Sequence, residues 1–183
     1  MNPDVEKILF TEEEINLRID QLGRQISEDY RSLVNEKDPL VIIGTLRGAV
    51  IFFADIVRKI DLPMEFDFVS MSSYRNSTIS SGEVEIRKDI DLKLEGRHVL
   101  IIEDIIDSGR SMQVLKNRLA TENPASMKIC ALLDKPSRRV TDVTVDYCGY
   151  EVPDEFIVGY GLDYAQRYRN LPYVGILKRE IYS

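Results

Sequence analysis

Two four-residue runs of purely apolar side chains, Leu40-Val41-Ile42-Ile43 and Val99-Leu100-Ile101-Ile102, limit the folds open to this chain. A strand with no polar face must be covered on both sides, as in the interior of a parallel sheet. Each run leads into a turn carrying glycine and hydroxylated residues. Helical spacing follows, over Ala49 to Ile60 after the first and Arg110 to Thr121 after the second. Met64 to Ser70 alternates, with Met64, Phe66 and Phe68 on one face of a strand. Lys128 to Leu133, Phe156 to Tyr160 and Tyr173 to Leu177 read as further strands. Near the start, Thr11-Glu12-Glu13-Glu14 is a capping box, and Ile15, Ile19, Leu22, Ile26 and Leu33 extend it as an amphipathic helix from Thr11 to about Asn35. Strands alternating with helices predict an α/β fold, a mostly parallel twisted sheet flanked by helices. A chain of 183 residues suits one domain spanning 1–183.

Composition narrows the function classes. The chain has 24 Lys and Arg against 31 Asp and Glu, a net charge of −7, which does not suit a general DNA-coating protein. A local anion site built from backbone N–H groups is still open to it. Cys130 and Cys148 are far apart with no C-x-x-C, and His98 is the lone histidine, so no zinc set is present. Both thiols read as reduced and structural, and His98 as a packing residue. The most apolar window, Leu40 to Val57, is interrupted by Arg47 and Asp55, so it is no membrane span, and the N-terminus has no apolar signal core. The expectation is a cytoplasmic protein with no membrane or nucleic-acid partner.

One segment breaks the rhythm. Ser72 to Gly82 (SSYRNSTISSG) has no core-forming pattern. A loop of this length is usually either a lid or an idle mobile connection, and the sequence leaves both open.

In open α/β sheets ligands bind beyond the carboxyl ends of the strands. The most informative strand end is VLIIEDIIDSGRSM, Val99 to Met112. Asp107-Ser108-Gly109-Arg110-Ser111 puts small hydroxylated residues around a glycine at a helix start. Free N–H groups, the helix dipole and hydroxyl donors there suit a phosphate. It is no Walker A loop. Three carboxylates, Glu103, Asp104 and Asp107, beside a phosphate cradle make sense for a ligand bearing both ribose hydroxyls and phosphates, together with Mg²⁺.

This string resembles the phosphoribosyl pyrophosphate (PRPP) signature of the type I phosphoribosyltransferases, with Ser108 and Ser111 where the family carries threonines. Gly44-Thr45-Leu46-Arg47-Gly48 resembles that family's pyrophosphate loop, in which the peptide after the leucine can be cis. Leu132-Leu133-Asp134-Lys135-Pro136 and VPDEFIVGYGLDYAQRYRNLPYVGIL, Val152 to Leu177, resemble the hypoxanthine-guanine branch, as does Ser73-Tyr74. The likeness runs from about Gly44 to Leu177. It implies a small hood formed by the N-terminus and about 150–183, and a mobile flap at about 72–88 carrying Ser73 and Tyr74.

The resemblance also implies roles. Asp107 would act near purine N7 as general acid or base. Glu103 and Asp104 would hold the ribose hydroxyls, directly or through Mg²⁺, and Asp107, Ser108, Gly109, Arg110 and Ser111 the 5′-phosphate. Leu46, Arg47, Gly48 and Arg169 would serve pyrophosphate, and Asp163 a pyrophosphate-bound Mg²⁺. Lys135 would donate to purine O6, Phe156 would stack on the base, and the Ile157 backbone would meet its C2 edge. The implied partners are PRPP and a 6-oxopurine, and the implied assembly is a homodimer or homotetramer. A phosphoribosyltransferase for another base and a PRPP-sensing regulator of transcription are the rival readings; the acidic balance disfavours the second, and no G-x-G-x-x-G follows a strand to suggest a dinucleotide binder.

Overall fold

The computed structural model describes residues 1–73 and 84–183. Along the chain run β1 (Val5–Phe10), α1 (Glu12–Tyr30), β2 (Leu40–Leu46), α2 (Val50–Ile56), β3 (Met64–Ser73), β4 (Val84–Lys88) and β5 (His98–Ile106). They are followed by α3 (Arg110–Ala120), β6 (Ser126–Asp134), β7 (Tyr147–Glu151), β8 (Ile157–Val158), β9 (Val174–Leu177) and α4 (Arg179–Tyr182). The two apolar runs are the neighbouring centre of a six-stranded sheet ordered β4-β3-β2-β5-β6-β7. All its pairings are parallel except β3 with β4.

The two-residue period of a strand sorts the core into two faces. Leu40, Ile42, Leu100, Ile102 and Leu132 meet Ile15, Ile19 and Leu22 of α1 and Phe52 and Ile56 of α2. Val41, Ile43, Val99, Ile101 and Ile129 meet Met112, Leu115 and Leu119 of α3. Burial of each such side chain is worth about 1.5–3 kcal/mol, which is why strands without a polar face settle in the middle.

Local signals hold where their chemistry is self-contained. The Glu14 N–H donates to Thr11 Oγ1 (3.3 Å) and the Thr11 N–H to Glu14 Oε2 (2.8 Å), completing the capping box. The helix ends at Tyr30 rather than near Asn35. Asn35 Oδ1 accepts from the Lys37 and Asp38 N–H groups (2.9 and 3.2 Å), turning the chain into β2, and Leu33 is left 48% exposed.

A second, antiparallel sheet, β1-β9-β8, joins the two ends of the chain. Only Ile157 and Val158 of the expected strand Phe156 to Tyr160 are in it. Gly159, Tyr160 and Gly161 have φ of 98°, 49° and 103°, so the backbone turns there instead of extending. The tyrosines of this region pack within the chain: Tyr168 donates to Asp4 Oδ2 (2.8 Å), Tyr173 accepts from the Asn2 N–H (2.8 Å), and Tyr160 bonds Asp55. β3 and β4 pair as far as Ser73 with Val84, while Tyr74 and the middle of the serine-rich segment lie outside the described residues. Among the described residues no helix is long and apolar enough to cross a membrane.

Candidate active site

Because β2 and β5 are adjacent and parallel, their turns open at the same end of the sheet. Thr45 Oγ1 donates to Glu103 Oε1 (2.6 Å), tying the two strand ends together. Glu103 also accepts from the Asp104 N–H (3.1 Å). Burial, and then the neighbouring Asp104 carboxylate, push the Glu103 carboxyl well above its ordinary range. Among the described residues no cation pairs with either carboxylate, an arrangement open to hydroxyl donors or a cation.

At the β2 turn the Leu46–Arg47 peptide is cis, as the resemblance implies, and Arg47 is exposed. Gly48 gives the Asp104 carboxylate its place: a Cβ there would lie 1.7 Å from Asp104 Oδ2 and would displace it. The Gly48 carbonyl is in turn packed on Gly161, where a Cβ would come within 2.1 Å of it. The pyrophosphate-type turn is therefore wedged between the β5 acids and the turn that leads to Asp163.

At the β5 turn Gly109 has φ 83°, and α3 starts at Arg110. Residues Glu103 and Ile105 to Met112 line a cavity of about 100 Å³. A larger cavity, about 300 Å³, is lined by Ile105, Asp107, Lys135, Phe156, Ile157 and Asp163 among others. The two cavities share Ile105 and Asp107, so Asp107 stands where they meet. Asp107 Oδ1 lies 3.1 Å from Arg138 Nε, and Arg138 also pairs with Asp154.

Lys135 is only 6% exposed and donates to the Glu155 carbonyl (2.6 Å). Burial lowers its pKa below the ordinary lysine value. Phe156 is fixed by a stacked Tyr182 (centroids 4.8 Å) and an edge-on Tyr164 (5.3 Å). Asp163 and Arg169 form an ion pair (2.8 Å), and Arg169 also donates to the Gly161 carbonyl (2.7 Å).

The expected residues thus fall into two groups that touch. The purine-type residues share one cavity with Asp107 and Asp163, and Glu103 and the 5′-phosphate-type residues Asp107 to Ser111 share the other, which Asp104, Leu46, Arg47 and Gly48 do not line. Arg169 lines neither; it lines a third, more open cavity of about 580 Å³ beside Arg167 and Asn170. Tyr74 lies outside the described residues, as does the Ser73 side chain. Sequence reasoning passed over Thr45, Arg138, Arg139, Thr141 and Tyr182. Nothing local in Ser137 to Asp142 marks its inward contacts. His98 sits at the opposite end of β5, with Nδ1 2.7 Å from Ser126 Oγ.

A parallel sheet with a ribose-and-phosphate turn and a pyrophosphate turn at adjacent strand ends defines a phosphoribosyltransferase-type site. The profile described as phosphoribosyl transferase domain matches residues 8–165, and the chain belongs to that family. Among its relatives, the hypoxanthine-guanine phosphoribosyltransferase of Bacillus subtilis is 51% identical over 183 residues, covering 100% of this chain and 99% of the relative. The crystal structure of a hypoxanthine phosphoribosyltransferase from Staphylococcus aureus superposes with a TM-score of 0.90 at 44% identity, covering 98% of this chain and 95% of the other. The Trypanosoma cruzi hypoxanthine phosphoribosyltransferase in complex with its product IMP superposes with a TM-score of 0.93 at 38% identity, covering 100% of this chain and 99% of the other.

Proposed function

We propose that the protein transfers the 5-phosphoribosyl group of PRPP to hypoxanthine or guanine, giving IMP or GMP and pyrophosphate, as a Mg²⁺-dependent enzyme of purine salvage. The observation that carries this reading is the meeting of a base-sized cavity and a phosphate-sized cavity at Asp107.

Breaking the bond from C1 to pyrophosphate builds positive charge on the ribose and negative charge on the leaving group. The helix N-terminus and hydroxyls of 108–111 would hold the 5′-phosphate, and Arg47 with the β2 turn the departing pyrophosphate. Asp107, facing the base cavity, would take or give the proton at N7. Lys135, a donor with no acceptor, would select a 6-oxo base over a 6-amino one. Phe156 would stack on the base from a pre-set angle, and the Ile157 backbone would read its C2 edge.

Among the described residues no three metal-ligating side chains converge. That suits Mg²⁺, which is commonly held by one or two carboxylates together with substrate phosphates. Glu103, Asp104 and Asp163 offer hard oxygens for this. Mg²⁺, when bound, supplies charge that stabilises the pyrophosphate. The same reading makes residues 1–183 one domain, with the chain-end sheet as a hood and about 72–88, including Ser73 and Tyr74, as a flap that shields the cationic sugar from water. It implies a cytoplasmic homodimer or homotetramer.

Product chromatography with PRPP, Mg²⁺ and each of hypoxanthine, guanine, xanthine, adenine and uracil tests it. IMP and GMP are expected. Nucleotide formed only from adenine or uracil, or from no base, contradicts the reading.

A further inference from the structure

The turn that would hold the 5′-phosphate is itself held from behind. The Asp107 carbonyl accepts from Arg139 Nε (3.3 Å). The Ser108 carbonyl accepts from the Val140 N–H (3.0 Å) and from Thr141 Oγ1 (3.3 Å). Arg139 is largely buried, its side chain 15% exposed, and its remaining nitrogens bind the Asp134 carboxylate and the Val143 carbonyl. The segment also packs on the turn's glycine: a Cβ on Gly109 would lie 2.2 Å from Thr141 Oγ1 and 2.9 Å from Arg139 Cδ.

Peptide planarity gives these contacts a consequence. In a trans peptide the carbonyl and the following N–H point in opposite directions. Fixing the Asp107 carbonyl fixes the Ser108 N–H, and fixing the Ser108 carbonyl fixes the Gly109 N–H. Ser108 and Gly109 line the small cavity, whereas Arg139, Val140 and Thr141 do not. The carbonyls are drawn away on the strap's side, and the N–H groups are presented on the other. A glycine-containing turn without such tethers could rotate a peptide and offer a carbonyl to the phosphate instead.

We infer that residues Arg139 to Thr141 are a positioning strap that sets the orientation of the 5′-phosphate-binding turn, acting on PRPP affinity without touching the substrate. This rests on the proposed function, and it assigns a role to a stretch that carries no motif of its own. Arg139 is suited to it because one planar fork reaches several acceptors at once, a geometry that a lysine ammonium does not reproduce.

The test uses Thr141→Val, Arg139→Lys and Arg139→Met in the full chain. For each, KM for PRPP, KM for hypoxanthine, kcat and Tm are measured, together with calorimetric binding of ribose 5-phosphate and of pyrophosphate. Loss of one neutral hydrogen bond predicts a PRPP KM about 3-fold higher in Thr141→Val, and loss of the charged contacts about 10-fold higher in Arg139→Met. Arg139→Lys keeps a charge beside Asp134 and is expected to hold its Tm within about 2 °C while PRPP KM still rises about 5-fold. In all three, KM for hypoxanthine and pyrophosphate binding stay within about 2-fold of wild type, and ribose 5-phosphate affinity falls in step with PRPP. Normal PRPP KM in both Thr141→Val and Arg139→Lys overturns the strap, as does a parallel rise in both substrates' KM. A wild type that turns over no base yet binds ribose 5-phosphate in a Thr141-dependent manner would overturn the enzymatic reading while leaving the strap standing. A wild type that does neither overturns both.

Discussion

The two halves of the proposed site are built by opposite means. The phosphate half relies on backbone: the cis turn after Leu46, Gly48 against Asp104, and a left-handed Gly109 at the start of α3. The base half relies on side chains: a buried Lys135 on the Glu155 carbonyl, and Phe156 held between Tyr164 and Tyr182. Asp107 belongs to both. Backbone presentation suits a phosphate, which every phosphoribosyl substrate shares. Side-chain presentation suits the base, where one donor or one ring separates one substrate from the next.

That contrast gives graded expectations. Asp107→Asn, at the shared point, should have the largest effect, lowering kcat about 100-fold or more while Tm changes little. Pre-steady-state measurement of the chemical step checks it. Lys135→Met should raise KM for hypoxanthine about 10- to 100-fold and leave PRPP binding unchanged. If PRPP binding weakens equally, the two halves are not separable. Gly48→Ala should act in the reverse sense, raising KM for PRPP about 10-fold, because its Cβ displaces the Asp104 carboxylate 1.7 Å away. Gly161→Ala meets the Gly48 backbone carbonyl at 2.1 Å and has φ 103°, so calorimetry should show a Tm lower by several degrees. Ser108→Ala should be mildest, with PRPP KM about 3-fold higher, since a hydroxyl only supplements the N–H groups beside it.

The contrast also explains how legible each part was. The central strands were readable because an apolar run can be satisfied in few ways, and the capping box because both partners lie within four residues. The turns after β2 and β5 were readable as turns because their glycines and small hydroxylated residues lie consecutively along the chain. β1 was not: its VEKILF sequence alternates poorly, and its partner β9 lies at the far end of the chain. β7 was missed for a similar reason, since Tyr147 to Glu151 is short and includes a glycine whose Cβ would meet the Leu132 carbonyl at 2.2 Å. The expected strand from Phe156 to Tyr160 was cut short by positive φ angles, one of them on a tyrosine, which no propensity signals. Arg139 and Thr141 were hidden because a buried arginine and a surface one look alike in sequence.

The central claim is that the base in one cavity reacts with PRPP held in the other, with Asp107, which lines both, moving the proton at N7. The most direct test is pyrophosphate release from PRPP with Mg²⁺ and hypoxanthine, comparing wild type with Asp107→Asn at equal, calorimetrically verified PRPP occupancy. The account predicts base-dependent release by the wild type and at least about 100-fold slower release by the variant. Equal rates in the two proteins, or release that is independent of added base, would contradict it.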